Sequence, residues 1–134
     1  MTVKQWLSRA RTCDREINVL EKAKAKERDR LLSITASMGG EVVSHSADPH
    51  KFDKYVELVD ALNQRIDELY DIKAEVHSVV AKVPDETLRE ILLLRYVSVM
   101  TWEQIAVTMD LSYRHVCRLH GDALEAVKIF LPMS

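Results

Sequence analysis

Apolar residues recur along the first part of the chain in alternating steps of three and four positions. One such series runs over residues 3–38 and is broken only at Lys24 and Glu27, and a second runs over residues 50–83 with Lys73 in one position. This stepping places a single apolar stripe along a helix and is typical of helices that pack side by side in coiled coils. The sequence therefore predicts two long helices over these ranges.

The segment between the two series carries signals for the end of one helix and the start of another. Gly39 suits a helix C-terminus, while Asp48 followed by Pro49 suits an N-cap and a first helical position. A connection of about ten residues is too short for a parallel return, so the helices are expected to pack antiparallel. Residues 1–83 are therefore predicted to form a long antiparallel helical hairpin of coiled-coil type.

The last fifty residues show shorter helical patterns. Thr101 and Gln104 have the spacing of a capping box, in which each side chain bonds the backbone amide of the other residue. A turn is expected at residues 110–112, and Ser112 is placed to cap the helix that follows. A short helix, a three-residue turn and a second helix make up a helix-turn-helix. Residues 84–134 are thus predicted to form a small helix-turn-helix domain, and the whole chain to be all-α.

The second helix of this motif is expected to turn Val116 and Leu119 inward. The residues left on its outward face near the N-terminus are Tyr113, Arg114, Cys117 and Arg118. In a helix-turn-helix this face enters the major groove, where arginine bonds guanine or phosphate and tyrosine bonds phosphate or packs on a thymine methyl. Ser112 and His115 complete the predicted DNA-binding set.

Other conspicuous side chains of this segment receive structural assignments. Tyr96 and Trp102 are predicted to lie in the core, while His115 and His120 are predicted to be surface residues. Gly121 falls inside the second helix of the motif, where glycine is costly relative to alanine.

Charge adds a second line of argument, because it is unevenly distributed although the net charge is only −2. Residues 1–38 contain nine basic and five acidic side chains, and residues 39–84 contain five basic and nine acidic ones. These opposite balances favour pairing of the two long helices with each other. The near-neutral total excludes a polybasic coat that binds nucleic acid or membranes through charge alone.

No pattern typical of an enzyme is present. His45 and His50 flank the predicted loop, but no third ligand lies at metal-binding spacing. No Ser-His-Asp order, catalytic carboxylate pair or phosphate-binding glycine loop occurs. We therefore predict neither catalysis nor a cofactor or metal. Cys13 and Cys117, far apart in apolar helical patterns, are predicted to be reduced core thiols, although the helix-turn-helix pattern turns Cys117 outward.

The chain lacks an apolar run of the roughly 20 residues that span a bilayer, and its first residues have no signal-peptide pattern. A cytoplasmic location without membrane contact is expected.

The helix-turn-helix segment also resembles a known family. Leu92-Leu93-Leu94-Arg95-Tyr96, Thr101-Trp102-Glu103-Gln104-Ile105-Ala106, Leu111-Ser112 and Val116 are similar to sigma-70 region 4, whose recognition helix binds the promoter −35 element. Residues 112–124 look closer still to small phage and prophage proteins that join a coiled hairpin to such a domain, some of which regulate late phage genes. The resemblance places the base-contacting positions on Tyr113, Arg114, Cys117 and Arg118.

The leading hypothesis is therefore a phage or prophage transcriptional regulator that binds double-stranded promoter DNA. RNA polymerase is a candidate partner, and so is a second copy of the chain docked through the hairpin. Two other hypotheses remain open: a small terminase-like DNA-packaging adaptor, and a protein-only module that binds RNA polymerase or a sigma factor.

Overall fold

The computed structural model describes residues 1–38 and 49–132. Within these ranges the chain forms helices and no strands, which confirms the all-α prediction. The helices are α1 (Val3–Met38), α2 (Pro49–Val80), α3 (Glu86–Leu92), α4 (Trp102–Met109) and α5 (Tyr113–Val127). A π-helical turn at Leu93–Val97 follows α3 directly, and a 3-10 turn at Lys128–Phe130 extends α5.

The segment that links α1 to α2 lies outside the described residues. Gly39, His45 and Asp48, to which the sequence assigned a helix end, a loop position and a cap, belong to that segment. Pro49, predicted at the first helical position, does begin α2. None of the helices in the described ranges has the length and apolar character needed to cross a membrane.

The chain forms two compact units. The first consists of Met1–Arg15 together with Tyr70–Ser134, and the second of Glu16–Leu69. Each unit therefore contains a part of α1 and a part of α2. The predicted division into a hairpin of residues 1–83 and a helix-turn-helix domain of residues 84–134 stays a prediction.

The first unit pairs the beginning of α1 with the end of α2. Arg9 Nη2 lies 3.3 Å from Glu75 Oε2, and Lys73 Nζ lies 2.9 Å from Asp14 Oδ1. As the residue number rises along α1, the number of its partner on α2 falls. The two helices are therefore antiparallel within this unit.

The second unit shows the same direction of pairing. Arg65 Nε lies 2.7 Å from Glu16 Oε2, and a cleft further along α1 is bordered by Lys24 and Arg28 on that helix and by Tyr55 on α2. Lys24, which interrupts the apolar stripe, also lies 3.8 Å from Glu21 one turn earlier. A polar position in the stripe is thus accommodated by a local ion pair on the same helix.

The core of the first unit combines residues from the N-terminal helix with residues of the last fifty. Its buried members are Trp6, Leu7, Ala10, Val76, Val79, Val80, Val83, Leu92, Tyr96, Ala123, Val127 and Leu131. Most of the contributions from α1 and α2 follow the heptad stripe, but Leu7 and Val79 flank it. The beginning of α1 is therefore a structural part of the unit that contains the helix-turn-helix.

Candidate nucleic-acid interface

Side-chain caps fix where the helices of the motif begin. The Thr101 Oγ1 accepts a hydrogen bond from the Gln104 amide at 3.1 Å, and the Thr101 amide donates to Gln104 Oε1 at 2.9 Å. At the start of α5, Ser112 Oγ accepts from the His115 amide at 3.1 Å. These bonds satisfy amides that have no partner within a helix. Both caps predicted from the sequence are confirmed.

The turn between α4 and α5 is closed by a residue in the left-handed region. Asp110 has φ of 56° and ψ of 47°, a conformation that aspartate tolerates better than most residues. The Leu111 amide then donates to the Ala106 carbonyl at 2.9 Å, which is the long bond of a Schellman-type helix end. The α4 helix therefore stops sharply, and the chain can enter α5 three residues later.

Apolar side chains hold the two helices of the motif in place. Ile105 of α4 and Val116 of α5 are completely buried. Ala106, Leu111 and Leu119 are half-buried. Val116 and Leu119 thus lie on the inward side of α5 as predicted, and the helix is left with one face for other contacts.

The outward face of α5 carries most of the predicted DNA-binding residues. Tyr113, Arg114, Cys117 and Arg118 are all exposed on the first turns of the helix, as is the cap residue Ser112. Only His115, of the predicted set, is half-buried. Arg114 and Arg118 are four residues apart and therefore lie one above the other on the helix surface.

The charge of the exposed side chains differs between the two halves of this face. The first turns present Arg114 and Arg118, whereas Asp122 and Glu125 are exposed further along. The pKa of Tyr113 is raised above its usual value, chiefly by the adjacent Cys117 side chain. The tyrosine therefore stays a neutral phenol, able to donate a hydrogen bond to phosphate.

The loop before α4 is held by two arginines that the sequence analysis did not assign to it. Arg95 Nη1 donates to the Met100 carbonyl at 3.0 Å, and Arg11 Nη1 donates to the Arg95 carbonyl at 2.9 Å. Arg11 Nη1 also lies 3.4 Å from the Met100 carbonyl oxygen. Because Arg11 belongs to α1, the N-terminal helix fixes the approach to the helix-turn-helix.

This loop contains a strained residue. Val99 has φ of 58°, a region that is strongly unfavourable for a β-branched side chain.

Arg95 directly precedes the buried Tyr96 in the chain. Its guanidinium group stacks over the Trp102 ring, 4.1 Å from the ring centroid. Burial lowers the pKa of Arg95, and the neighbouring Arg11 adds to that effect. The like charges of Arg11 and Arg95 thus lie close together, and their contacts with carbonyl groups and with the Trp102 ring compensate for the repulsion.

The prediction that His120 is a surface residue is wrong. Its side chain is buried, with Nε2 at 2.7 Å from the Tyr96 hydroxyl and the ring 4.5 Å from that of Trp102. Burial lowers its pKa to about 4, with smaller contributions from Lys4 and Arg95, so the imidazole is neutral at pH 7. Burial likewise raises the pKa of Tyr96 to about 12.

The spacing along α5 could have revealed this position. His120 follows Val116 by four residues and precedes Ala123 by three, which places it in the buried stripe of the helix. The polar character of histidine concealed that signal. Of the two aromatic residues predicted in the core, Tyr96 is buried, and Trp102 is half-buried.

The two cysteines differ in their exposure, and neither belongs to a metal-binding cluster among the described residues. Cys13 is buried as predicted, and Cys117 is exposed, so its assignment as a core thiol is wrong and its outward placement in the helix-turn-helix is confirmed. Within residues 1–38 and 49–132, no three His, Cys, Asp or Glu side chains come together in a way that could hold a metal ion.

One segment of the chain is similar to a known family. Residues 85–128 match the family model described as Sigma-70, region 4. This match begins at Asp85, the residue that caps α3, and extends through α5. The matched family is a DNA-binding helix-turn-helix domain without a catalytic role. No curated protein and no solved structure shows significant similarity to the chain.

Proposed function

We propose that this protein is a phage or prophage transcriptional regulator that binds promoter DNA through α5. The observation that carries the proposal is the pair Arg114 and Arg118, both exposed on the first turns of a capped recognition helix. Neither side chain contributes to the buried core of the unit. Two cations that are dispensable for packing, on the helix of a DNA-binding motif, are best explained by contacts with DNA.

Each side chain of the face has a role that its chemistry suits. Arg114 and Arg118 bond guanine edges or phosphates, and Tyr113 donates to a phosphate or packs on a thymine methyl. Ser112 and His115 lie at the positively polarised N-terminus of α5, where backbone amides favour phosphate oxygens. Cys117 offers a small, weakly polar surface between the longer side chains.

The rest of the chain supplies a tether in this proposal. With only two guanidinium groups on the first half of α5, one copy neutralises few phosphates, and its affinity has a shallow dependence on salt, about 0.9 in log–log slope per phosphate. Residues 1–83 would then add self-association or a contact with RNA polymerase, while residues 84–134 contact DNA. Linking two weak sites can raise the overall affinity by about 10²–10⁴.

The test begins with the full chain and a pool of random DNA duplexes, from which bound sequences are selected. Dissociation constants for the selected duplex are then measured by fluorescence anisotropy. Arg114→Ala and Arg118→Ala should each weaken binding by about 1–3 kcal/mol and leave the unfolding midpoint unchanged. Arg30→Ala, which removes the same charge from an exposed position of α1, is the matched control.

Two outcomes would contradict the proposal. One is selection that yields no preferred duplex, and the other is an Arg114→Ala, Arg118→Ala double variant that binds as tightly as the wild-type chain. Sedimentation of the same samples measures the number of subunits, which shows whether the chain associates with itself. A monomer or dimer agrees with a regulator, whereas a ring of many subunits would favour the packaging adaptor.

A further inference from the structure

Gly121 lies on the outward face of α5, directly after the two arginines. It follows Arg118 by three residues and Cys117 by four, so it occupies the next helical turn of the same face. The residue is exposed and helical, and its φ is outside the left-handed region that favours glycine. A methyl group at this position would meet no heavy atom within 4 Å.

Glycine is therefore not required by anything in the described structure. The backbone conformation is one that alanine prefers, and the space for a side chain is open. Among the common residues only proline is less favourable than glycine inside a helix. An exposed helical glycine that the fold does not need leaves the backbone open to a ligand that approaches α5 from outside.

The direction of helical side chains shows what a larger residue would cover. Side chains on a helix tilt toward its N-terminus, so each covers the surface of the preceding turn. A side chain at position 121 would extend over the turn that contains Cys117 and Arg118. Because Cys117 is itself small, the backbone between the arginines and the acidic end of the face is left bare.

We propose that duplex DNA makes van der Waals contact with the α5 backbone at Gly121, so that this residue sets how deeply the helix enters the major groove. The inference rests on the proposed DNA-binding function. Glycine is the residue that permits close approach of a backbone to a ligand. The exposed carboxylates of Asp122 and Glu125 lie beyond it and repel phosphates, so the DNA contact ends near this turn.

The variant Gly121→Ala separates this role from a structural one. We expect its unfolding midpoint to rise by several degrees, because alanine favours the helix. Its affinity for the selected duplex should fall about tenfold or more, since the added methyl group holds α5 away from the groove. Gly121→Ser adds a side chain with a weaker helix preference and should lose affinity with a smaller gain in stability.

Ser78→Ala is the control for helix stabilisation, because Ser78 is exposed on α2 and alanine there should leave DNA affinity unchanged. If the wild-type chain binds the selected duplex and Gly121→Ala binds it with the same affinity, this inference is overturned and the proposed function is not. Failure of the wild-type chain to bind any duplex overturns the inference and the proposed function together. A loss of affinity in Ser78→Ala equal to that of Gly121→Ala also overturns it.

Discussion

The same apolar stripe on α1 and α2 is buried to very different degrees in the two units. In the first unit, Val76 of the stripe is completely buried, and α3 and α5 pack in the same core. In the second unit, Phe52 of the stripe is 59% exposed. Among the side chains of that unit that the structure describes, the buried ones are Ile17, Ile66 and Leu69. Two helices alone can cover only a narrow seam, whereas further helices cover its flanks.

The difference teaches that a heptad pattern predicts pairing but does not predict depth of burial. Since hydrophobic stabilisation grows with the apolar area removed from water, the first unit should contribute most of the free energy of unfolding. In the second unit, the ion pair between Glu16 and Arg65 is exposed, and exposed ion pairs contribute little to stability. Three experiments test this contrast.

The largest expected effect comes from a pair of leucines on the same helix. Leu7 is completely buried in the first unit, and Leu32 is 58% exposed in the second. Leu7→Ala should lower the free energy of unfolding by about 2–5 kcal/mol, because it leaves a cavity in the core. Leu32→Ala should change it by about 0.5 kcal/mol or less. Urea titrations followed by circular dichroism measure both values.

Equal destabilisation by the two leucine variants would break the contrast between the units. The Leu7→Ala variant also tests whether α1 supports the helix-turn-helix, from which Leu7 lies far in sequence. If Leu7→Ala also lowers the temperature at which DNA binding is lost, the beginning of α1 supports the DNA-binding unit, as its place in the core indicates.

A smaller effect is expected from acid, and it concerns the first unit alone. The pKa of His120 is lowered to about 4 in the folded chain, against about 6.5 in an unfolded one. The unfolded chain therefore binds the proton more readily, and the stability associated with neutral His120 is lost as pH falls from about 6.5 to 4. The loss should reach about 3 kcal/mol at most, since one pKa unit corresponds to about 1.4 kcal/mol.

Carboxylates also titrate in this range, so His120→Gln serves as the reference. Glutamine can still share a hydrogen bond with the Tyr96 hydroxyl but carries no titrating group. Free energies of unfolding measured from pH 7 to pH 4.5 should fall more steeply for the wild-type chain than for the variant. Parallel curves for the two proteins would show that the pKa of His120 is the same in the folded and the unfolded chain, which would contradict this prediction.

Local interactions could be predicted from the sequence, and contacts between distant residues could not. Repeating apolar positions and caps such as Thr101 and Ser112 depend on neighbours within one or two turns, and they predicted the long helices and the starts of α4 and α5. The end of α2 was predicted less well, since the helix stops at Val80 and not at residue 83. Arg11 could not be assigned from sequence, because its partners, the carbonyl groups of Arg95 and Met100, are more than eighty residues away. Val99, whose positive φ the sequence did not indicate, lies next to Met100 in the same loop.

The candidate site divides in the same way. The outward positions of Arg114 and Arg118 follow from helical period alone, since the inward positions are apolar. His120 escaped prediction because residue type was given more weight than position in the period. Its hydrogen bond to Tyr96 and its contact with Trp102 compensate for the burial of an imidazole, and these partners come from outside α5.

The smallest expected effect concerns the ion pair of the second unit. Arg65 lies 2.7 Å and 3.2 Å from the two carboxylate oxygens of Glu16, and the arginine lowers the pKa of that carboxyl. Both side chains are well exposed, so water and salt screen the attraction. In a double-mutant cycle with Glu16→Gln and Arg65→Gln, the coupling free energy between the two side chains should be detectable only in dilute buffer. It should vanish at about 1 M salt, where the Debye length is about 3 Å.

Arg65 also lies 3.2 Å from Glu68 on the same helix, so part of the stability lost in Arg65→Gln should still be lost when Glu16 is already replaced by Gln. A coupling that persists in high salt would mean that the pair is shielded from solvent, and the second unit would then resemble the first more closely than its burial indicates.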